Sequence, residues 1–367
     1  SSWWVKRAKL GALQYMWSGA SYSGNNGIAA LYFNSDDKIH MYFDSDGLNP
    51  YGAINSRVYR DTANWYHIVW AVDAANGVAK VWVNGVEETN GINPPNYDYG
   101  MNKASTKMGF GFATWGGSPD YNGYLAEFVH LDGQYLDETS FGEFKNGVWV
   151  PKNIHNQSFT FGTNGFYLPF SDSSNIGYDY QTSDRSGTTN DYTASGLAST
   201  DVLPDTCTNN FATLFPGRSG EGASSQTFSE GNLQWTSSLY NYNATGSSIN
   251  IPTSGKWYME VYVKTAGPSL SHDFGVGIQG VANDSMAKQN PPTATYGDST
   301  IYVTRRDFAS RIEKNLNNVL IGDTYSYNAG DIVQVAYDAD NGKVYYGLNN
   351  TYRAEDGGTD GNPSSGT

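Results

Sequence analysis

The sequence predicts an all-β protein of two antiparallel sandwiches, and three observations carry that expectation. Aromatic residues make up 15% of the chain and there are 42 Gly, so strand and turn formers are dense while helix formers are thin. Two distant stretches, 65–85 (WYHIVWAVDAANGVAKVWVNG) and 333–350 (VQVAYDADNGKVYYGLNN), each read as strand, D-A-x-N-G turn and strand. At 367 residues the chain is long enough for two domains that each bury a core.

In the first hairpin the arm His67 to Val72 alternates. Val69 and Ala71 fall on one face and Ile68, Trp70 and Val72 on the other, giving the hairpin one good face for a core. Asp73, Asn76 and Gly77 are turn formers. Asn and Gly tolerate positive φ, and an Asp side chain hydrogen-bonds the backbone two residues on. The second arm, Val78 to Val83, is again β-branched and aromatic, and Asn84-Gly85 closes it.

Before this hairpin, Trp3 to Arg7, Leu13 to Trp17, Gly27 to Asn34 and Lys38 to Asp44 read as short strands between polar turns. Ser1 stands directly on the first of them, so further chain is expected upstream. After it, Glu87 to Asn102 is a long surface loop, followed by strands at Thr106 to Thr114 and Tyr124 to Leu131. Asp132 to Asn146 is the one helical candidate, a turn or two with an acidic start suited to capping. Gly165 to Phe170 is a strand with Pro169 near its end, so it lies at a sheet edge or stops there. The stretch 171–210 is full of Ser, Thr, Asp and Asn. It sets the domain plan: a sandwich over 1–175, a polar linker over 176–210 and a second sandwich over 211–367. Leu233 to Trp235, Lys256 to Lys264, Asp273 to Ile278 and Ile332 to Asp338 are strands of the second. The chain stops soon after its last hairpin, which leaves an open edge and points to more strands downstream.

Charge narrows the function. A net charge of −14, with no basic run among the aromatics, argues against nucleic acid and anionic lipid as partners. No apolar stretch approaches the roughly 20 residues of a membrane span, so membrane insertion is not expected. Cys207 is the only cysteine, which excludes an intramolecular disulfide, and its TCTNN context suits an incidental thiol better than a nucleophile.

At Trp65 to Gly85 and Tyr121 to Phe128 (YNGYLAEF) the chain resembles the laminin G-like branch of the concanavalin A-like lectin and glucanase fold. Ser254 to Val261 (SGKWYMEV), Phe274 to Ile278 (FGVGI) and the second hairpin resemble a SPRY domain, without its final strands. Both resemblances imply jelly-roll type sandwiches, concanavalin A-like then SPRY-like. Leu131 to Lys152, GTNGFYLPFSDSS and TNNFATLFP are similar to virion proteins of tailed phages, of tail or fibre type. That likeness implies a setting on the virion surface, with other virion subunits as partners in a homo-oligomer, and no mechanism.

Candidate chemistry is sparse. Glucanases of this fold carry an E-x-D-x-x-E strand, which this chain lacks. Glu127 and Asp132 are five apart, on opposite faces of a continuous strand, and Glu260 stands alone. The five His residues are scattered without metal spacing, so no catalytic residue is nominated. Asp44 and Asp46 flank a tight turn in the manner calcium uses, although a solvated Asp-rich turn is the better-favoured explanation and needs no metal. The loop 114–123 (TWGGSPDYNG) gathers Trp115, Asp120, Tyr121 and Asn122, a ring face beside polar groups, which is how sugars are held. The sequence therefore leads to a non-enzymatic, lectin-like adhesin for host-surface polysaccharide. A purely structural decoration protein and a polysaccharide depolymerase are the alternatives.

Overall fold

The computed structural model describes residues 1–21, 27–44, 51–54, 57–88, 106–116, 120–187, 190–216, 226–237, 245–265, 275–279, 301–305, 312–314, 319–320, 328–352 and 361–366. They fall into two compact units, Ser1–Thr213 and Leu214–Thr367.

The strands of the first unit are β1 (Ser2–Arg7), β2 (Gln14–Ser21), β3 (Ile28–Phe33), β4 (Ile39–Asp44), β5 (Tyr51–Ile54), β6 (Tyr66–Asp73), β7 (Val78–Val83), β8 (Val86–Glu88), β9 (Thr106–Phe110), β10 (Gly123–His130), β11 (Gly142–Lys145), β12 (Val148–Pro151) and β13 (Phe166–Leu168). One sheet has the order β13-β10-β1-β6-β7-β8 and the other β5-β4-β3-β2-β9, with β11 and β12 a separate hairpin. The two sheets face each other across one core. Ile68 and Trp70 of β6 meet Trp17, Leu31, Phe33 and Phe43 of the opposing sheet there, joined by Trp3, Val5 and Phe128. Trp17 and Trp70 pack edge to face at 5.1 Å. This is the antiparallel β-sandwich that the composition predicts.

The hairpin β6–β7 buries both of its faces, where the sequence pointed to one. Val69, Ala71 and Trp82, on the side away from the first core, pack with Leu131, Phe141, Ile154 and Tyr167 in a second buried cluster. The chain between residues 131 and 161 returns over the six-stranded sheet and shields it. The helical candidate in this return is a single 3-10 turn, Glu138–Ser140, whose cap Asp137 accepts from Thr139 N at 3.1 Å. The chain then enters the β11–β12 hairpin.

The D-A-x-N-G turn works alike in both hairpins. Asp73 accepts from the backbone N of Asn76 at 3.2 Å and from its Nδ2 at 2.7 Å. Asp338 does the same with Asn341 at 3.1 and 2.9 Å. The carboxylate thus reaches three residues on, one further than expected, and Gly77 (φ 67°) and Gly342 (φ 64°) complete the turn with positive φ.

Strand β13 lies at the sheet edge, as Pro169 implies. Its outward groups are taken up by the next stretch of chain. Asp179, wholly buried, accepts from Tyr167 N at 2.9 Å, and Tyr180 N donates to Tyr167 O at 2.7 Å. Further on, the fully buried Lys6 of β1 donates to Asp205 Oδ2 at 2.7 Å, Asn210 Oδ1 at 2.8 Å and Phe211 O at 2.5 Å. The stretch expected as a linker, 176–210, is therefore a polar strap on the first unit, within Ser1–Thr213. Its tyrosines Tyr178, Tyr180 and Tyr192 already suggest a stretch that lies on something, and Tyr180 and Tyr192 do pack on the buried clusters while hydrogen bonds and ion pairs hold the rest down.

The second unit contains β14 (Leu214–Phe215), β15 (Gln226–Ser229), β16 (Gln234–Ser237), β17 (Gly246–Ser247), β18 (Lys256–Tyr262), β19 (Gly275–Gln279), β20 (Ile301–Arg305), β21 (Ile312–Lys314), β22 (Val319–Leu320), β23 (Ile332–Asp338), β24 (Lys343–Leu348) and β25 (Thr351–Tyr352). Its two larger sheets have the orders β18-β23-β24-β25 and β19-β20-β21-β22. Val263, Val333, Val335 and Tyr346 meet Val276 of β19 in a small core between them.

Candidate functional site

The site begins with a bulge. Pairing of β2 with β3 runs Tyr15 to Tyr32 and then Trp17 to Leu31, so Met16 is the extra residue. Met16 and Trp17 are both buried in the core. Tyr15 and Ser18, three apart, consequently share the outer face of the five-stranded sheet.

On that face Tyr15, Tyr32 and His40 stand side by side on β2, β3 and β4. Tyr15 and Tyr32 have ring centroids 4.9 Å apart, and Tyr32 stacks on His40 at 5.3 Å. Trp115 extends the row, edge-on to Tyr15 at 5.2 Å and 88°. Four rings thus run continuously across three strands and a loop.

Ser18 places Trp115. After β9, Gly111 N donates to Met16 O at 3.1 Å, keeping the chain beside β2. Ser18 Oγ then donates to Phe112 O and accepts from Thr114 N, both at 2.9 Å, drawing the loop over the sheet. Glycine at 109 leaves room for the fold-back, since a Cβ there would come within 2.6 Å of the Phe112 ring and displace it. Trp115 is held against Tyr15 and keeps 38% of its surface exposed.

The row is uncharged and ends at an acid. Burial pushes His40 below its ordinary value against the pull of Asp36, so the imidazole is neutral at pH 7. Burial, with Tyr15 and Asp36 nearby, pushes Tyr32 up to about 12. Asp36 Oδ1 lies 3.6 Å from His40 Nε2, and Asp36 Oδ2 lies 3.8 Å from Lys38 Nζ. Two ring faces and a carboxylate acceptor are the groups that hold a pyranose, rings on its C–H face and acceptors on its hydroxyls.

Of the sequence nominees, Trp115 joins this row. Asp120 and Asn122 are exposed on the same connection. Tyr121 is corrected, because it turns inward. Its N donates to Gly111 O at 2.6 Å, its hydroxyl donates to Lys6 O at 2.9 Å, and its ring packs on the core. Asp44 is 3% exposed and accepts from the Tyr42 hydroxyl at 3.0 Å. Asp46 lies outside the described residues, among which no three His, Cys, Asp or Glu gather as a metal set. Tyr15, Tyr32 and His40 belong to the row without having been nominated by the sequence.

A continuous strand would set Glu127 and Asp132 on opposite faces, but the strand is broken. The β1–β10 register shifts between Ser2 and Trp4, and Glu127 takes φ 52° in that bulge. Its carboxylate accepts from the Tyr167 hydroxyl, and burial pushes it up despite that bond. Asp132 is engaged elsewhere, accepting from Asn164 N at 3.2 Å and Nδ2 at 2.8 Å.

No family model matches the chain, and no curated protein does. Solved structures align with part of it. The heptameric SAP-like pentraxin of Limulus polyphemus is 16% identical over 34% of this chain and 59% of its own, with a TM-score of 0.28. Domain 4 of AbnA, a GH43 extracellular arabinanase from Geobacillus stearothermophilus solved with arabinotriose, is 25% identical over 33% and 54%, with a TM-score of 0.26. The Ruminococcus gnavus IT-sialidase CBM40 bound to α2,3-sialyllactose is 15% identical over 34% and 69%, with a TM-score of 0.29.

Proposed function

We infer that the first unit is a lectin-like module and that the row Trp115–Tyr15–Tyr32–His40 is its glycan-binding face. The single observation behind this reading is the unbroken line of four rings on an outer sheet face, ending at the Asp36 carboxylate. The other sheet's outer face is occupied by the chain's own return, so it offers no comparable platform. The setting rests on the sequence phrases alone: an appendage or decoration on a tailed-phage particle, built with other virion subunits and adhering to host-surface polysaccharide.

Trp115→Ala is expected to cost about 1–3 kcal/mol of oligosaccharide affinity at this face, the range for a desolvated aromatic anchor. The thermal midpoint should move little, because Trp115 is more than a third exposed and lies outside the core. Glycan-array binding and thermal melting, measured together, check both. A large melting loss makes Trp115 a packing residue. Unchanged sugar binding with altered particle assembly favours the structural role instead.

The protein is proposed to be a binder and not a hydrolase. Glu127 is tied to Tyr167 and Asp132 to Asn164, so neither is presented as half of an acid–base pair. Incubation with bacterial and marine polysaccharides is expected to release no reducing ends. Release that a single Glu or Asp substitution abolishes would overturn this.

A further inference from the structure

Strand β18 lies at the edge of one of the two four-stranded sheets of the second unit, β18-β23-β24-β25. Met259 and Val261 face the core, while Tyr258, Glu260 and Tyr262 alternate onto the other side, where the tyrosines are 53% and 62% exposed. An edge strand ordinarily protects this side with charge. Here it carries two aromatic rings with a carboxylate between them.

The rings are not loose surface residues. Tyr258 Oη donates to Glu260 Oε1 at 2.5 Å and accepts from Gln334 Nε2 at 2.6 Å. Gln334 is 3% exposed, and the rest of its amide is satisfied by Asn350, Nε2 to Oδ1 at 2.8 Å and Oε1 from the backbone N at 2.6 Å. A buried amide with every group paired therefore locks the Tyr258 hydroxyl, which pre-organises the ring for a ligand. Across the sheet, Tyr258 is in register with Ala336 and Ala336 with Tyr345, so a small residue separates two tyrosines. Tyr345 is 7% exposed, yet its hydroxyl has no partner among the described residues. That hydroxyl is sealed from solvent, so it lies beneath the face and is not a contact on it.

We propose that this outer face of β18, β23 and β24 is a second carbohydrate-binding face, independent of the Trp115 row, and that it takes a neutral polysaccharide chain. Neutrality follows from charge. Glu260 sits on the face, the chain carries −14 overall, and the nearby lysines are engaged, Lys256 with Asp338 at 3.7 Å, Lys264 with Gln234 Oε1 at 2.9 Å and Lys343 with Gly366 O. A chain and not a single sugar fits the length, since tyrosines four residues apart on one strand stand about 13 Å apart. Ring faces at both ends match pyranose C–H faces, and Glu260 between them accepts from hydroxyls.

The test is calorimetric titration of the full chain with cellohexaose, xylohexaose and mannohexaose, one at a time. At least one is expected to bind the Trp115→Ala variant. Adding Tyr262→Ala should weaken that remaining binding about tenfold, and Glu260→Gln should weaken it comparably, with the melting transition of the exposed Tyr262→Ala variant unchanged. If Trp115→Ala removes all binding, the second face is refuted while the first stands. If Trp115→Ala changes nothing and Tyr262→Ala removes all binding, the second face stands and the first falls. Failure of all three sugars to bind, or indifference of the remaining binding to Tyr262→Ala, overturns the proposal.

Discussion

Asp205→Ala is expected to destabilise the first unit by about 3–5 kcal/mol, the loss incurred when one member of a buried ion pair is removed. Lys6 has no exposed side-chain surface and Asp205 only 7%. The same carboxylate accepts from Trp65 Nε1 at 3.0 Å, so its removal orphans an indole as well as a cation. Burial pushes Lys6 below its ordinary 10.5, and Asp205 opposes that fall. The variant therefore keeps a buried amine with its main support gone. Urea denaturation followed by tryptophan fluorescence reads the loss. The double variant Lys6→Met, Asp205→Ala should recover much of it, because an apolar side chain leaves no charge to desolvate. A single-variant loss below about 1 kcal/mol would mean that the pair is wetter than its burial implies.

Asp37→Asn is expected to cost a similar 3–5 kcal/mol by the same mechanism at the adjacent residue of β1, Arg7, whose side chain leaves the strand on the other face. Arg7 is fully buried, donates from Nη2 to Asp37 Oδ1 at 3.1 Å and lies 4.1 Å from the Phe33 ring centroid. Arg60 Nε reaches Asp37 Oδ2 at 2.8 Å and Gly11 N reaches Oδ1 at 2.7 Å. Burial alone would raise this carboxyl, but the Gly11 amide and the two guanidinium groups outweigh it and hold it below the ordinary 3.8. A depressed carboxyl contributes stability that is complete above its unfolded value and lost as pH falls through the folded one. Wild type should accordingly lose this contribution only below about pH 4, the unfolded carboxylate range. The Asn variant should lack that acid limb and be weaker at neutral pH. Denaturation midpoints across pH 2–7 compare the two.

Local chemistry made much of the fold legible, and the candidate site was legible only in part. Asp73, Asn76 and Gly77, with their counterparts Asp338, Asn341 and Gly342, announce their turns because side chain and backbone within five residues settle them. Pro169 marks the edge for a similarly local reason. The shield over the outer face of β6 was not visible, since Leu131, Phe141 and Ile154 are spaced with neither a strand nor a helix period. The aromatic row was hidden by two non-local facts. Tyr15, Tyr32 and His40 become neighbours only through strand register, and the bulge at Met16 breaks the alternation that would have put Tyr15 and Trp17 on one face. Trp115 was found because a ring in a Gly-rich loop is conspicuous. Tyr121, six residues on, is drawn inward by a backbone bond to Gly111 that no composition reveals.

The sealed rim at β13 bears on how these molecules behave when many are crowded together. A bare strand at a sandwich's border is a template on which a neighbouring copy can add its own, and growth of that kind ends in polymer. At this border the docking positions on Tyr167 are already filled by Asp179 and Tyr180 of the same chain. An incoming strand must first pull a wholly buried carboxylate off the amide that holds it. Self-templated sheet growth from this side is therefore opposed by the molecule's own strap, and copies can be brought close together without fusing along it.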